Sequence, residues 1–204
     1  SQTTIGVGEH LKNPSMYNIH EYFDNYYVPN NVAICLAGDL DPDATIDMIE
    51  EYFGSWETKE VPAFTEREDV ELSAPVTMET FGPQQEMLYM GYKFDGAGSE
   101  ETRMIQLIDM LLANSQAGLI DIDLMLKQKV LSAGSFPQIL KDHSIHFLYG
   151  VPKEGQSLEA LRDLLLGELD KIKAGDFDDW LIEAVVNDLK LNRVKGLETN
   201  RGRA

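Results

Sequence analysis

The stretch YYVPNNVAICLAGDLDP, Tyr26 to Pro42, decides the fold class, because a helix end, a strand and a helix start follow one another within it. Pro29-Asn30-Asn31 cannot continue a helix. Val32-Ala33-Ile34-Cys35-Leu36-Ala37 is then a short unbroken apolar run, the pattern of a strand buried on both faces. Gly38-Asp39-Leu40 turns the chain, and Asp41-Pro42 supplies an N-cap followed by proline at the first helical position. Upstream, Asn13-Pro14 reads as a helix start, after which Ile19, Tyr22, Phe23, Tyr26 and Tyr27 recur at helical spacing and are expected to face a core. Downstream, Ile46, Ile49 and Phe53 form a second apolar face closed by Gly54. A single strand cannot satisfy its own backbone, so its sheet partners must lie elsewhere in the chain or in sequence outside it. Cys35, inside that strand, is expected to be a buried and inert small hydrophobe.

Residues 59–75 are charged, bracketed by prolines and without sustained periodicity, and read as an acidic linker. Beyond it, Val76–Phe81 and Met87–Phe94 are strand candidates, expected to pair antiparallel across Gly82-Pro83. Ser99 caps a helix with Ile105, Ile108, Leu111 and Leu112 on one face, and Gly118 separates it from a second helical segment through Leu119, Ile122 and Leu126. Ser144–Val151 reads as a strand. Ser157 caps a helix with Leu158, Leu161, Leu165 and Ile172 as its stripe, Gly175 ends it, and a last helix from Asp178 carries Leu181, Val185 and Leu189. The result is an α+β chain with helices on one face of a largely antiparallel sheet. Residues 1–58 are expected to be the helix-strand-helix end of a preceding domain, and 76–204 a second α+β domain, expected to be cut short at its C-terminus.

Composition narrows the function classes. Seventeen Lys and Arg against 35 Asp and Glu leave a formal charge of −18, a field that repels phosphate backbones and argues against a nucleic-acid partner. A single cysteine excludes an internal disulfide and a cysteine-rich metal cluster, and leaves the redox compartment open. No run approaches the length of a membrane span, and Ser1-Gln2-Thr3-Thr4 lacks the layout of a signal peptide. The absence of an initial Met suggests a processed or excised product. The compartment therefore stays undetermined, with the cell envelope or periplasm open if a signal was removed upstream.

Catalytic constellations are missing. Helical zinc sites of peptidases set two His four apart with a Glu between them, and the four histidines contain no such pair. His143 and His146 are three apart on a strand, an odd offset that sends them to opposite faces. His10 lies in a polar loop and His20 on a helix beside Glu21. No nucleophile elbow, phosphate loop or dinucleotide fingerprint occurs. Carboxylate pairs such as Asp121 with Asp123 or Asp178 with Asp179 are too common here to single out. No catalytic residue and no metal ligand is assigned.

The run from His20 to Pro42, followed by Glu51-Tyr52-Phe53-Gly54, resembles the pitrilysin/insulinase family of zinc peptidases, in which a helix ending in Tyr-Tyr, a Pro-Asn turn, an apolar strand, Gly-Asp and a helix ending in Phe-Gly follow the zinc-binding region. The resemblance implies layered domains of the processing-peptidase type and an inverted H-x-x-E-H motif upstream of this sequence. It also implies zinc in the parent protein and none in this chain, an upstream zinc-binding domain as partner, and a peptide substrate. Family members carry an Arg, and a Tyr seven positions later, that hold the peptide and polarise its carbonyl. The corresponding stretch here is Leu126-Lys127-Gln128-Lys129-Val130-Leu131-Ser132-Ala133-Gly134, with Lys127 at the Arg position, Gly134 at the Tyr position and no Tyr between Tyr92 and Tyr149. Lys lacks the planar fork of Arg and Gly has no hydroxyl, so Lys127 is expected to be a degenerate substrate-binding position. The expectation is a non-catalytic region helping to enclose a peptide chamber. The alternatives are a structural or assembly subunit of the same fold, and an unrelated acidic binding module.

Overall fold

The computed structural model describes residues 6–63 and 72–204; most of the linker read at 59–75 falls outside them. The chain divides into two compact units, Ser1–Thr77 with Gly196–Ala204, and Met78–Lys195.

The first unit holds helices α1 (Gly8–Lys12), α2 (Met16–Tyr26) and α3 (Pro42–Phe53) and a short C-terminal helix, Asn200–Arg203. α2 starts later than the sequence suggests: its cap is Ser15, whose hydroxyl accepts from the Asn18 amide at 3.3 Å. Asn13 precedes Pro14, whose ring disfavours helical geometry at the residue before it, and sits at φ −145°. Asp41 caps α3 as expected, accepting from the Ala44 amide at 3.0 Å with Pro42 next in line. Between the helices, the Asn30 side chain donates to the Lys59 carbonyl at 2.9 Å and accepts from the Lys59 amide at 3.4 Å.

Three expectations for this unit are corrected. Residues 32–37 are not a strand: Val32 has extended angles, but the segment pairs with no other described segment, and Val32, Ile34 and Leu36 are exposed. Extended backbone becomes a strand only when a neighbour takes its amides and carbonyls, and none of the described residues does so. Cys35 is therefore exposed rather than buried, its thiol donating to the Ala204 carbonyl at 2.7 Å. The aromatic face of α2 is likewise not core. Its rings pair along the helix, Tyr22 with Tyr26 and Phe23 with Tyr27, each at 4.7 Å between centroids, and Ile19, Tyr22, Phe23 and Tyr27 stay exposed.

The second unit is a three-stranded antiparallel sheet in the order β1-β3-β2, formed by β1 (Leu88–Asp95), β2 (Ser132–Ile139) and β3 (His143–Val151). Helices α4 (Glu100–Leu112), α5 (Leu158–Ala174) and α6 (Asp179–Gly196) complete it, with a π-helical turn at Asp121–Leu126. This is the α+β architecture anticipated. The pairing differs, however: Val76–Phe81 is exposed and forms no strand, and β1 pairs with β3, Leu88 opposite Gly150 and Asp95 opposite His143. β2 was not anticipated, because Gly134 and Pro137 disguise it; as an edge strand it can spare the amide that Pro137 lacks.

Alternation along β3 sends Ser144, His146, Leu148 and Gly150 to the helix-covered face. There Leu148 joins Leu112, Ile120, Leu124, Leu161 and Leu165 in the main core, each of them fully buried. Burying each of these side chains contributes about 1.5–3 kcal/mol. Gly150 leaves the room that α5 uses: a Cβ there would lie 2.8 Å from Leu161 Cδ1. A second cluster, Leu111, Leu181 and Val185, holds α6. The helix caps at Ser99 and Ser157 form as expected, and Gly175 ends α5 in the left-handed region at φ 68°, its amide bonding back into the last turn.

One polar link crosses this core. Asp109 of α4 accepts the Ser135 hydroxyl at 2.6 Å and pairs with His146 Nε2 at 3.0 Å, joining the helix to both β2 and β3. His143, on the opposite face, is exposed. Asp109→Ala leaves the buried His146 and the half-buried Ser135 without their shared partner and is expected to cost about 2–3 kcal/mol. His143→Ala is expected to stay within about 0.5 kcal/mol. Urea unfolding midpoints at constant slope measure both, and equal effects would mean that the buried link contributes nothing.

Candidate functional site

The stretch matched to the substrate-polarising positions leaves the π-helical turn and runs into β2. Asn114 sets up that turn: its Oδ1 accepts from the amides of Gln116, Ala117 and Gly118 at 2.8–3.2 Å, and its own amide donates to Asp121. Lys127 follows the turn, Gln128 takes a left-handed φ of 51°, and Leu131 donates to the Val151 carbonyl at 3.0 Å, which starts the β2–β3 ladder. Lys153 and Gln156 donate to the Gln128 and Lys129 carbonyls, pinning the connection.

Lys127 is committed to a carboxylate. Its ammonium bonds Asp123 Oδ1 at 2.5 Å, Asp123 Oδ2 takes Lys171 at 2.5 Å, and Lys171 also reaches Glu168 at 2.7 Å. Hydrogen bonds from Lys127, then Lys171, hold the Asp123 carboxyl below the usual carboxylate range. Burial pulls the Lys171 ammonium downward, but its bonds to Asp123 and Glu168 outweigh that and leave it above the usual lysine value. The spacing of Asp123 and Lys127 is the four-residue pair of a helix surface and is readable from sequence. Lys171 and Glu168 come from α5, and nothing in the local sequence announces them.

The Gly134 position is occupied by another residue's ring. Gly134 lies opposite Tyr149 in the β2–β3 register, and a Cβ at 134 would sit 2.8 Å from the Tyr149 hydroxyl. A tyrosine at 134 has no room unless Tyr149 moves. Tyr149 belongs to an aromatic row on the sheet face away from the core, with Tyr89 at 6.0 Å, Phe136 at 6.1 Å, and Phe136 stacked on Phe147 at 5.1 Å. Pairing of β2 with β3 was the signal for Tyr149, and it depended on recognising β2.

The residues present do not fit a zinc ion. Among the described residues no three His, Cys, Asp or Glu side chains are grouped to hold a metal. His146 is buried with its Nε2 on Asp109, and His143 points to the other face of the sheet.

The sign of the Asp123 effect makes it testable by pH. A carboxyl depressed in the folded state stabilises the fold above its unfolded value, and that contribution is lost as pH falls through the folded one. Lys171, raised in the folded state, contributes below its unfolded value and loses that contribution in strong alkali. Asp123→Asn is therefore expected to cost about 1 kcal/mol at neutral pH, a modest figure because Lys127 is half exposed. The difference from the parent chain should shrink as pH drops below the usual carboxylate range. Chemical unfolding at a series of pH values measures it, and a difference that persists at the acid end would assign the loss to packing.

Comparison with known proteins places the chain in a family. The family model described as the Peptidase M16 inactive domain matches residues 15–189. The zinc protease PqqE of Helicobacter pylori is 22% identical over 196 residues, covering 94% of this chain and 43% of that protein. The crystal structure of a protease from Helicobacter pylori superposes with a TM-score of 0.82 at 19% identity, over 97% of this chain and 49% of the other. The periplasmic protease PqqL from Escherichia coli superposes with a TM-score of 0.61 at 13% identity, over 95% of this chain and 22% of the other. The chain thus spans less than half the length of these relatives. No described helix is long and apolar enough to cross a membrane. With the family model matching most of its length, the chain belongs to the peptidase M16 inactive-domain family.

Proposed function

We propose that this chain is the non-catalytic region of a zinc peptidase, working beside a zinc-binding segment carried by preceding sequence of the same polypeptide. In this reading residues 1–58 complete the domain that carries the zinc, 59–75 link the two, and 76–204 supply a second domain that walls a peptide chamber. The observation that carries the non-catalytic assignment is the state of the degenerate pair: Lys127 is held by Asp123, and the Tyr149 ring covers Gly134. An ammonium already neutralised in a four-residue ion network gives little preference to a developing oxyanion.

Support for the chamber wall comes from the sheet. Helices pack on one face, while the other presents the aromatic row with Tyr89 and Phe136 exposed. Support for an upstream partner comes from the first unit, where α2, residues 32–37 and α3 expose Tyr22, Phe23, Ile34, Leu36 and Phe53. Exposed large apolar side chains in this number mark an interaction site, and residues 32–37 also offer backbone that no described residue pairs with. The parent protein would bind zinc, hydrolyse peptides and, like the periplasmic relative, work in the cell envelope.

Two outcomes test the reading. The purified chain should retain no stoichiometric zinc after dialysis and cleave no peptide. In the full-length enzyme, Lys127→Ala should leave kcat nearly unchanged, whereas losing a working carbonyl-polarising donor costs about a hundredfold or more. A loss of that size with the fold intact would make Lys127 a working donor and this the active partner domain.

A further inference from the structure

Between the π-helical turn and the α5–α6 connection lies an open cleft of about 380 Å³, contained within the second unit. Leu119 and Ile122 contribute its apolar floor, Phe177 and Trp180 its aromatic wall, and Asp176 and Asp178 its acidic rim. Asp123 also lines it, but both its oxygens are taken by lysines. The proposed chamber wall uses neither the wall nor the rim of this cleft.

Two features decide what the cleft accepts. The indole of Trp180 is half exposed, and its Nε1 donates to Asp178 Oδ2 at 3.0 Å, so the ring is fixed in place rather than packed away. Large aromatic rings left in solvent beside carboxylates attract cations through the ring face and the charges together. Asp178 and Asp179 also offset the positive end of α6. Asp176 lies before that helix, and its carboxylate forms no hydrogen bond or ion pair with the described residues. A phosphate or acidic peptide is repelled by this rim and by the chain's charge of −18. A bare divalent ion would gain nothing from the indole or the apolar floor, which match the alkyl stem and charged head of a long side chain.

We propose that this cleft docks a basic peptide segment, with a Lys or Arg side chain laid along Phe177 and Trp180 and its charge held between Asp176 and Asp178. The occupant is polypeptide, and the recognised unit is one long cationic side chain. The site does not depend on the chain's being part of a peptidase, so it can be tested in the chain alone.

The experiment uses the full 204-residue chain with Trp56→Phe, which leaves Trp180 as the sole indole reporter. It is titrated at low ionic strength with an alternating Ala-Lys decapeptide and with an alternating Ala-Glu decapeptide. The expected result is a saturable change in Trp180 fluorescence with the basic peptide only. In the same background, D176N with D178N should weaken that binding about fivefold or more. E57Q with E60Q, which removes the same charge from the first unit, should change it less than twofold. Asn at 178 still accepts from the indole, and circular dichroism of both double variants checks their fold. An unresponsive Trp180, an equal response to the acidic peptide, or equal weakening by the two double variants overturns the proposal. None of these outcomes bears on the Lys127 test in the full-length enzyme.

Discussion

The second unit depends on β3 being bonded along both edges. His143–Val151 is the only strand with a neighbour on each side among the described residues, so its backbone sets the register of β1 and β2 at once. A one-residue slip would exchange its two faces. Leu148 and Gly150 would leave the core, His146 would lose Asp109, and Phe147 and Tyr149 would be driven against α5. The close approach of Leu161 to Gly150 and the buried Asp109 link both penalise that slip, one by packing and one by hydrogen bonding.

The same register shapes the surroundings of Gly134. Because Gly134 faces Tyr149 across the ladder, the absence of a side chain on β2 is filled from β3. Lys127, a few residues earlier, is bound to a shared carboxylate. Asp123 binds two ammonium groups from different elements, so the network ties the π-helical turn to α5. A group held this way has a structural role, and freeing Lys127 for a substrate would mean breaking an ion pair.

The first unit shows the opposite balance. Its helices α2 and α3 are capped and its Asn30–Lys59 link is well formed, yet most of its large apolar side chains remain exposed. Local rules can build helices that have no core of their own; a sheet cannot be completed locally, because every strand needs a partner. Residues 32–37 remain unpaired among the described residues for that reason.

The sequence by itself determined most of the long helices and several of their ends, though not the start of α2. Ser99, Ser157, Asp41 and Gly175 act within one turn of their own positions, so their signals are local. It also determined that His143 and His146 part ways, since alternation along a strand needs no knowledge of the partner. The Tyr26–Pro42 run and its surroundings were enough for the family resemblance. Tertiary structure alone decided which strands pair, because Val76–Phe81 and β1 satisfy the same pattern and only long-range packing favours β3. It decided that Cys35 and the α2 aromatics are exposed, since burial belongs to the surroundings of a residue and not to its periodicity. It also brought Lys171 to Asp123 and Tyr149 over Gly134. Those contacts join residues far apart in the chain, and no local spacing encodes them.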